Sequence, residues 1–218
     1  MEDIKKAVES VIEKVDAVCT FAENQVYVLI AIARPKNNSE ITYGASDYHK
    51  GPAVFRMVLR EDNKLSACTR MVSMIKGFEH DPIKPEDFNM YLTFNPRDTR
   101  KAFRTMQIYH SEWILNDDWE RLKHYESKWF SCLQKKSARA EKKYYMVDID
   151  NKKHATSTYV ILGQLSDPES WIEMPSRNGF HILVPPFNVQ KFKERIKENN
   201  LDVEVKTDDC VNLWCGNW

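Results

Sequence analysis

The stretch "YYMVDID" at residues 144–150 places two carboxylates in a segment that otherwise has the composition of a buried β-strand. Successive side chains of a strand point to opposite faces, so Asp148 and Asp150 share one face, about 7 Å apart along the backbone. Two neighbouring carboxylates repel each other, and without a cation one of them would shift towards its neutral form. Bound Mg²⁺ or Mn²⁺ would make the pair favourable. The alternative is a solvated strand end, where Lys152 and Lys153 balance the charge.

The residues that follow this strand predict a small sheet with helices beside it. The pattern predicts, in chain order, a short helix over about 156–165, two strands within 171–187, a helix over 188–200 and two further strands within 201–215. Asn178-Gly179 indicates a hairpin turn, Asn188 is the expected N-cap of the last helix, and Thr207–Asp209 forms the last bend. This order favours an antiparallel or mixed sheet over a doubly wound parallel one.

The preceding part of the chain also mixes helices with strands. It predicts a helix over 1–18, strands over 25–35 and 53–60, a helix over about 62–78, a strand over 88–98 and a mainly helical region over 99–139. Asn95-Pro96 should stop the third strand, and Asp117 or Asp118 is a plausible N-cap within the helical region.

The composition indicates one α+β domain with its own core. Of the 218 residues, 42% are apolar, which suffices for a compact domain. We expect a single domain over 1–218, with a mixed or antiparallel sheet and flanking helices in two packed halves. Residues 1–139 would form the N-terminal half, and residues 140–218 would form the half that carries the chemistry.

The cysteines and the hydropathy pattern predict a cytoplasmic protein. Five cysteines are scattered without a Cys-x-x-Cys pair, so neither a disulfide framework nor a zinc site is expected. No run of about 18 apolar residues occurs, and we therefore predict neither a membrane span nor a membrane partner.

Basic residues are concentrated locally although the formal net charge is zero. Residues 120–143 contain eight basic and three acidic side chains, and a second cluster comprises Arg97, Arg100, Lys101 and Arg104. Either cluster could contact the phosphates of a nucleic acid. The alternative for both is a solvated helix face.

Three polar motifs follow one another in the second half of the chain. Asp148 and Asp150 are followed 31 residues later by His181, after the predicted turn, and 27 residues after that by Asp208 at the predicted bend. A lone histidine at the start of a strand is more often part of a core. The order of the three motifs, however, points to a shared site.

In this order the motifs resemble those of the archaeo-eukaryotic primase, or primase-polymerase, superfamily. "MVDID" is similar to the first family motif, and "SRNGFHILVP" to the second, with Gly179 where many members carry serine and Arg177 at a position that is often basic. Thr207-Asp208 resembles the third, with Asp209 as a close rival. Upstream, "MYLTFNPRDTRKAF" resembles a strand ending in Asn-Pro in several phage and plasmid members. The resemblance covers residues 88–215.

The resemblance implies a template-directed nucleotidyltransferase, a DNA primase or primase-polymerase, that acts in DNA replication in a phage or mobile element. It would add nucleotides from NTPs or dNTPs on a single-stranded DNA template with two Mg²⁺ or Mn²⁺ ions. The implied catalytic and metal-binding residues are Asp148, Asp150 and Asp208. The implied nucleotide-binding residues are His181, Arg177, Ser176 and Asn178. The residues assigned to nucleic-acid binding are Arg97, Arg100, Lys135 and Lys136.

The implied partners are the template, nucleoside triphosphates and a helicase or other replication protein, in the host cytoplasm if the protein is viral. Three alternatives stay open. The carboxylates could serve a metal-dependent nuclease, the fold could persist in a nucleic-acid-binding replication module without turnover, or the aspartates could be solvated strand ends of a structural protein.

Overall fold

A computed structural model describes residues 2–33, 54–79, 83–176 and 179–215 of the chain. Residue 215 is described by its backbone alone. The helices are α1 Glu2–Val18, α2 Lys64–Lys76, α3 Thr99–Leu115, α4 Tyr125–Gln134, α5 Ala155–Gly163 and α6 Val189–Glu198. The strands are β1 Gln25–Ala33, β2 Val54–Leu59, β3 Phe88–Thr93, β4 Arg97–Asp98, β5 Tyr145–Ile149, β6 Ile172–Pro175, β7 Phe180–Val184, β8 Glu204–Lys206 and β9 Cys210–Cys215. The α+β class with antiparallel sheets is confirmed.

The first sheet is antiparallel and is covered by helices on both faces. Its strand order is β2-β1-β3-β9, and the short β4 also pairs with β1. Alternate residues of β1 enter two cores: Tyr27 and Leu29 pack with α1 and α2, whereas Val26 and Val28 pack with α3 and α4. Burial on both faces explains why β1 is a continuous apolar run rather than an alternating one.

The second sheet belongs to a unit whose elements follow one another in the chain as β5, α5, β6, β7, α6 and β8. Its strands lie in the order β6-β7-β5-β8, all antiparallel, which makes this unit a ferredoxin-like βαββαβ arrangement. Val147, Ile182 and Phe192 belong to the core that the sheet forms with its two helices. The alternate residues of the same strands, including Asp148 and His181, therefore face away from those helices.

The end of the chain crosses from the second sheet to the first. β8 pairs with β5, but β9 pairs with β3, so the two strands predicted around the bend at Thr207–Asp209 belong to different sheets. Residues 140–218 thus supply the whole second sheet and also one strand of the first.

Helix boundaries depend on side-chain caps. Asp98 caps α3 by accepting hydrogen bonds from the amides of Arg100 and Lys101, and Asn188 caps α6, as predicted, by accepting one from Lys191. The region predicted as mainly helical contains α3, a 3₁₀ turn over Trp119–His124 and α4. The side chain of Asp118 precedes this turn without capping it.

A buried asparagine joins the two sheets. Asn95 accepts hydrogen bonds from the amides of Lys143 (2.8 Å) and Tyr144 (2.9 Å), and it donates to the carbonyls of Tyr144 (3.0 Å) and Thr207 (3.4 Å). Its side chain is fully buried. The prediction that the third strand stops at Asn95-Pro96 is confirmed, since β3 ends at Thr93. The side chain of Asn95 instead bonds with the segment that precedes β5 and with the residue that follows β8.

Gly179 is required by a close approach of backbones. A Cβ atom placed there would overlap the carbonyl oxygen of Ile149, at the end of β5. The amide of Gly179 donates to Oγ of Ser176 (3.1 Å), and its carbonyl accepts from the amide of Ser176 (3.1 Å). Serine, which many members of the primase superfamily carry at this position, does not fit here without movement of the turn.

Among the described residues, no helix has both the length and the apolar character needed to cross a bilayer.

We expect Asn95→Ala to lower the free energy of unfolding by roughly 2–4 kcal/mol, because two partly buried amides and two carbonyls lose their hydrogen bonds to its side chain. Urea denaturation followed by circular dichroism would measure this. The exposed Asn116→Ala is the matched control and should change stability by less than about 0.5 kcal/mol. Equal effects of the two variants would contradict the joining role of Asn95.

Candidate functional site

The candidate site is built on the face of the second sheet that its helices leave open. Asp148 lies on the central strand β5, directly opposite His181 on β7 and Glu204 on β8 in the strand register. Lys206, two residues after Glu204, shares the same face of β8. The pairing of the strands therefore brings two acids, a histidine and a lysine together.

A lysine and a histidine hold Asp148 in its ionised form. Lys206 Nζ donates to Asp148 Oδ2 at 2.9 Å, and His181 Nε2 lies 3.2 Å from Asp148 Oδ1. Burial alone would raise the pKa of Asp148, but the contacts with His181 and Lys206 outweigh it and lower that pKa from its ordinary value of 3.8 to about 2. The sequence predicted that one carboxylate of the pair would shift towards its neutral form without a bound cation, but Asp148 stays ionised because His181 and Lys206 contact it.

Lys206 is the central cation of this face. Burial lowers its pKa, but the hydrogen bond with Asp148 and the charges of Asp148, Glu204 and Asp209 outweigh burial and raise it. Its Nζ also lies 3.6 Å from Glu204 Oε2. One ammonium group therefore balances several carboxylates.

These residues form one wall of a cleft between the two sheets. The cleft has a volume of about 400 Å³. The second sheet and its turns contribute Met146, Asp148, Asp150, Ser176, His181, Glu204 and Lys206, and the first sheet with the adjoining bend contributes Ile30, Ile32, Asn89, Tyr91, Asp209, Cys210 and Asn212. One wall is largely charged, whereas the other is apolar and amide-lined.

Several predicted site residues meet in this cleft. Asp148, Asp150, His181 and Ser176 all line it, and Asp150, one residue beyond the end of β5, is exposed. Arg177 and Asn178, predicted to bind the nucleotide, lie outside the described residues.

The two aspartates of the bend after β8 have different environments. Asp208, predicted as the third catalytic carboxylate, accepts two hydrogen bonds of 2.9 Å from Arg97 and is 2% exposed. Asp209 lines the cleft instead, and its Oδ1 accepts from the amide of Cys210. Asp209 therefore lines the cleft together with Asp148, Asp150 and Glu204, whereas Asp208 has a structural role in its pair with Arg97.

The residues predicted to bind nucleic acid are divided between interior and surface. Arg97 is buried against Asp208 and does not reach the surface, which corrects its assignment. Arg100 is exposed and contacts Glu23, Lys135 donates to the hydroxyl of Tyr109 at 2.6 Å, and Lys136 is exposed. Arg100 lies in the first turn of α3, whereas Lys135 and Lys136 follow the end of α4.

The cleft contains carboxylate oxygens that could bind a divalent ion, but these oxygens are not arranged as a complete coordination sphere. Within the described ranges, no group of three or more His, Cys, Asp or Glu side chains is arranged to hold a metal. His181 Nδ1 is, however, buried without a hydrogen-bond partner in that part of the chain, and Asp148 Oδ1 has only its 3.2 Å contact with His181 Nε2. Carboxylate oxygens are the ligands that Mg²⁺ and Mn²⁺ prefer, so Asp148, Asp150 and Asp209 fit the donor chemistry of such an ion.

The sequence analysis did not predict the residues that the first sheet contributes to the cleft, and it also missed Glu204 and Lys206 of β8. Their spacing of two in "EVK" places them on one face of a strand, and this signal was available. Asn89 and Tyr91, which are joined by a hydrogen bond of 3.1 Å, carry no such signal because they are brought to the cleft only by the packing of the sheets.

We expect the stability difference between the wild type and Asp148→Asn to shrink as the pH falls. The lowered pKa of Asp148 means that its ionised form contributes stability above pH 4, and this contribution is lost as the pH falls towards 2. Its size should be about 1–2 kcal/mol after solvent screening. Urea denaturation between pH 6 and about pH 2.5 would measure it, and parallel pH profiles of the two proteins would contradict it.

We expect Asp208→Asn to destabilise the protein by about 3–5 kcal/mol, because it leaves the Arg97 guanidinium buried without a counter-charge. The double variant Arg97→Met/Asp208→Leu should recover much of this loss, and a double-mutant cycle would measure the coupling. An Asp208→Asn variant as stable as the wild type would refute the structural role of the pair.

Comparisons with known proteins identify no relative of this chain. No family model matches the chain, and neither the curated proteins nor the solved structures provide a match. Any function must therefore be argued from the cleft and the motifs that line it.

Proposed function

We propose that this chain is a template-directed nucleotidyltransferase of the primase-polymerase type, which adds nucleotides on single-stranded DNA. The observation that carries the proposal is the pairing of Asp148 with His181 on adjacent strands of the βαββαβ sheet, facing the cleft. The first two sequence motifs thus lie side by side, although they are 31 residues apart in the chain.

The cleft suits a ligand with an apolar end and an anionic end. Its volume of about 400 Å³ lies within the range of small-molecule sites. Ile30, Ile32 and Tyr91 provide an apolar and aromatic surface against which a base could lie. Lys206 and His181 on the opposite wall provide donors for phosphate oxygens.

The carboxylates of the cleft would hold the divalent ions. Asp148, Asp150 and Asp209 are the candidate ligands, since Asp208 is engaged by Arg97. When bound, two such ions would supply charge neutralisation at the entering and leaving oxygens of phosphoryl transfer.

The chain's own cations prepare this site. Lys206 keeps Asp148 ionised, so the carboxylate is ready as a ligand at neutral pH. The lysine side chain is long and its ammonium can turn, so Lys206 could transfer its contact from Asp148 to the triphosphate of the substrate. His181 would bind a phosphate oxygen through a single hydrogen bond.

One observation favours a second candidate, a nucleic-acid-binding replication module without turnover. Asp148 is already neutralised by Lys206 and by its contact with His181, so the fold needs no divalent ion to hold this carboxylate. In that case the protein would bind single-stranded DNA, and its affinity would be independent of Asp150.

We expect wild-type protein to incorporate labelled nucleotides on single-stranded DNA in Mg²⁺ or Mn²⁺, and Asp150→Asn to reduce the rate by about 100-fold or more. Asp150 is exposed, so this variant should retain its thermal stability. Lanes with and without a primer would separate extension from initiation. His181→Ala should mainly raise the apparent KM for the nucleoside triphosphate.

The matched control is Asp202→Asn, which removes an exposed carboxylate of the same half that does not line the cleft. It should synthesise at the wild-type rate. Wild-type synthesis by Asp150→Asn would refute the proposed metal ligand. Absence of synthesis by the wild type, together with intact binding of single-stranded DNA, would favour the binding module, and cleavage of DNA without nucleoside triphosphates would favour a nuclease.

A further inference from the structure

A second pocket lies in the helical layer that covers the first sheet. It is formed by the end of α3, the 3₁₀ turn over Trp119–His124 and the first turns of α4, and its volume is about 280 Å³. Its lining residues are Trp113, Arg121, His124, Ser127, Lys128 and Ser131. None of them lines the cleft between the sheets.

One lining residue of this pocket, Trp113, carries a hydrogen-bond donor that has no partner in the described part of the chain. Trp113 is 4% exposed, and its Nε1 is buried with no hydrogen-bond partner among the described residues. The indole N–H can only donate. A buried donor of this kind costs about 1–3 kcal/mol when it is left unpaired, so a ligand with acceptor atoms would be favoured there.

The remaining lining residues complement an anion. Arg121 and Lys128 are cations with donors only, and Ser127, Ser131 and His124 can donate as well. None of the described residues that line the pocket is acidic.

One carboxylate nearby competes for this positive charge. Asp118 Oδ2 lies 2.6 Å from Arg121 Nε. An anion in the pocket would therefore share Arg121 with Asp118.

We propose that this pocket binds a phosphate group, either a backbone phosphate of single-stranded nucleic acid or a free phosphate. A phosphate offers acceptor oxygens in several directions, and this matches a pocket whose donors come from three elements. The basic surface continues beyond the pocket, since Lys128 Nζ lies 3.4 Å from the ring centroid of Tyr109 and Lys135 donates to the same tyrosine. Such interleaving of cations and aromatic rings suits a single strand. The proposal is independent of the reaction in the cleft.

The test uses the indole N–H of Trp113 as a direct reporter. Full-length ¹⁵N-labelled protein has six tryptophans, and the Trp113 signal is assigned with Trp113→Phe. The protein is titrated with inorganic phosphate and, separately, with an oligothymidylate, while sodium chloride at matched ionic strength serves as the control. We expect the Trp113 signal to shift with a phosphate ligand and not with chloride.

The two titrations distinguish the source of the phosphate. A shift at much lower concentration with the oligonucleotide than with inorganic phosphate would assign the pocket to the nucleic-acid backbone. A shift with inorganic phosphate alone would assign it to a free phosphate.

Charge variants then test whether the pocket itself is responsible. Lys128→Gln should weaken binding by about 3- to 10-fold, and Asp118→Asn should strengthen it because it frees Arg121 from competition. Lys123→Gln is the matched control, since Lys123 lies in the neighbouring 3₁₀ turn, pairs with Glu120 and does not line the pocket. No shift of the Trp113 signal with either ligand, or an equal shift with chloride, would overturn the proposal. Equal losses in Lys123→Gln and Lys128→Gln would overturn it as well, because binding would then reflect overall charge.

Discussion

The buried ion pair between Arg97 and Asp208 is the constraint on which the arrangement of the two sheets depends. Arg97 lies in β4, which pairs with β1 of the first sheet, and Asp208 follows β8 of the second. Taking both charges out of water is costly, and the cost is offset only because the guanidinium meets the carboxylate with two hydrogen bonds. Either residue alone would be a buried charge, so the two sheets are held at a fixed separation where the pair can form.

Asn95 extends this joint to a third segment of the chain. Its side chain bonds with the backbone at Lys143 and Tyr144 and with the carbonyl of Thr207, so it fixes the entry to β5 and the exit from β8 relative to β3. The amide of Ala140 also donates to the carbonyl of Pro96 at 2.9 Å. The cleft opens beside this joint, and its shape is therefore set by interactions that do not themselves face it.

The charges in the cleft follow from the same geometry. The bend between β8 and β9 directs Asp208 to Arg97 and leaves Asp209 in the cleft, so neighbouring aspartates have opposite surroundings. Lys206 then balances the acidic wall from within. A carboxylate that a lysine keeps ionised is stable within the fold and is also an available ligand. For this reason nucleotidyl transfer and nucleic-acid binding without turnover are the two candidate functions.

The sequence by itself determined most element types, the α+β class with an antiparallel or mixed sheet, and the cap at Asn188, because these depend on local periodicity and on single side chains. It also indicated that His181 belongs with Asp148. Only the tertiary structure decided that Arg97 is buried, that Asp209 rather than Asp208 faces the cleft, and that the indole N–H of Trp113 has no partner among the described residues. Those outcomes depend on which segments meet after folding. Local sequence patterns do not indicate that Arg97 pairs with Asp208, because the two residues are more than a hundred positions apart in the chain.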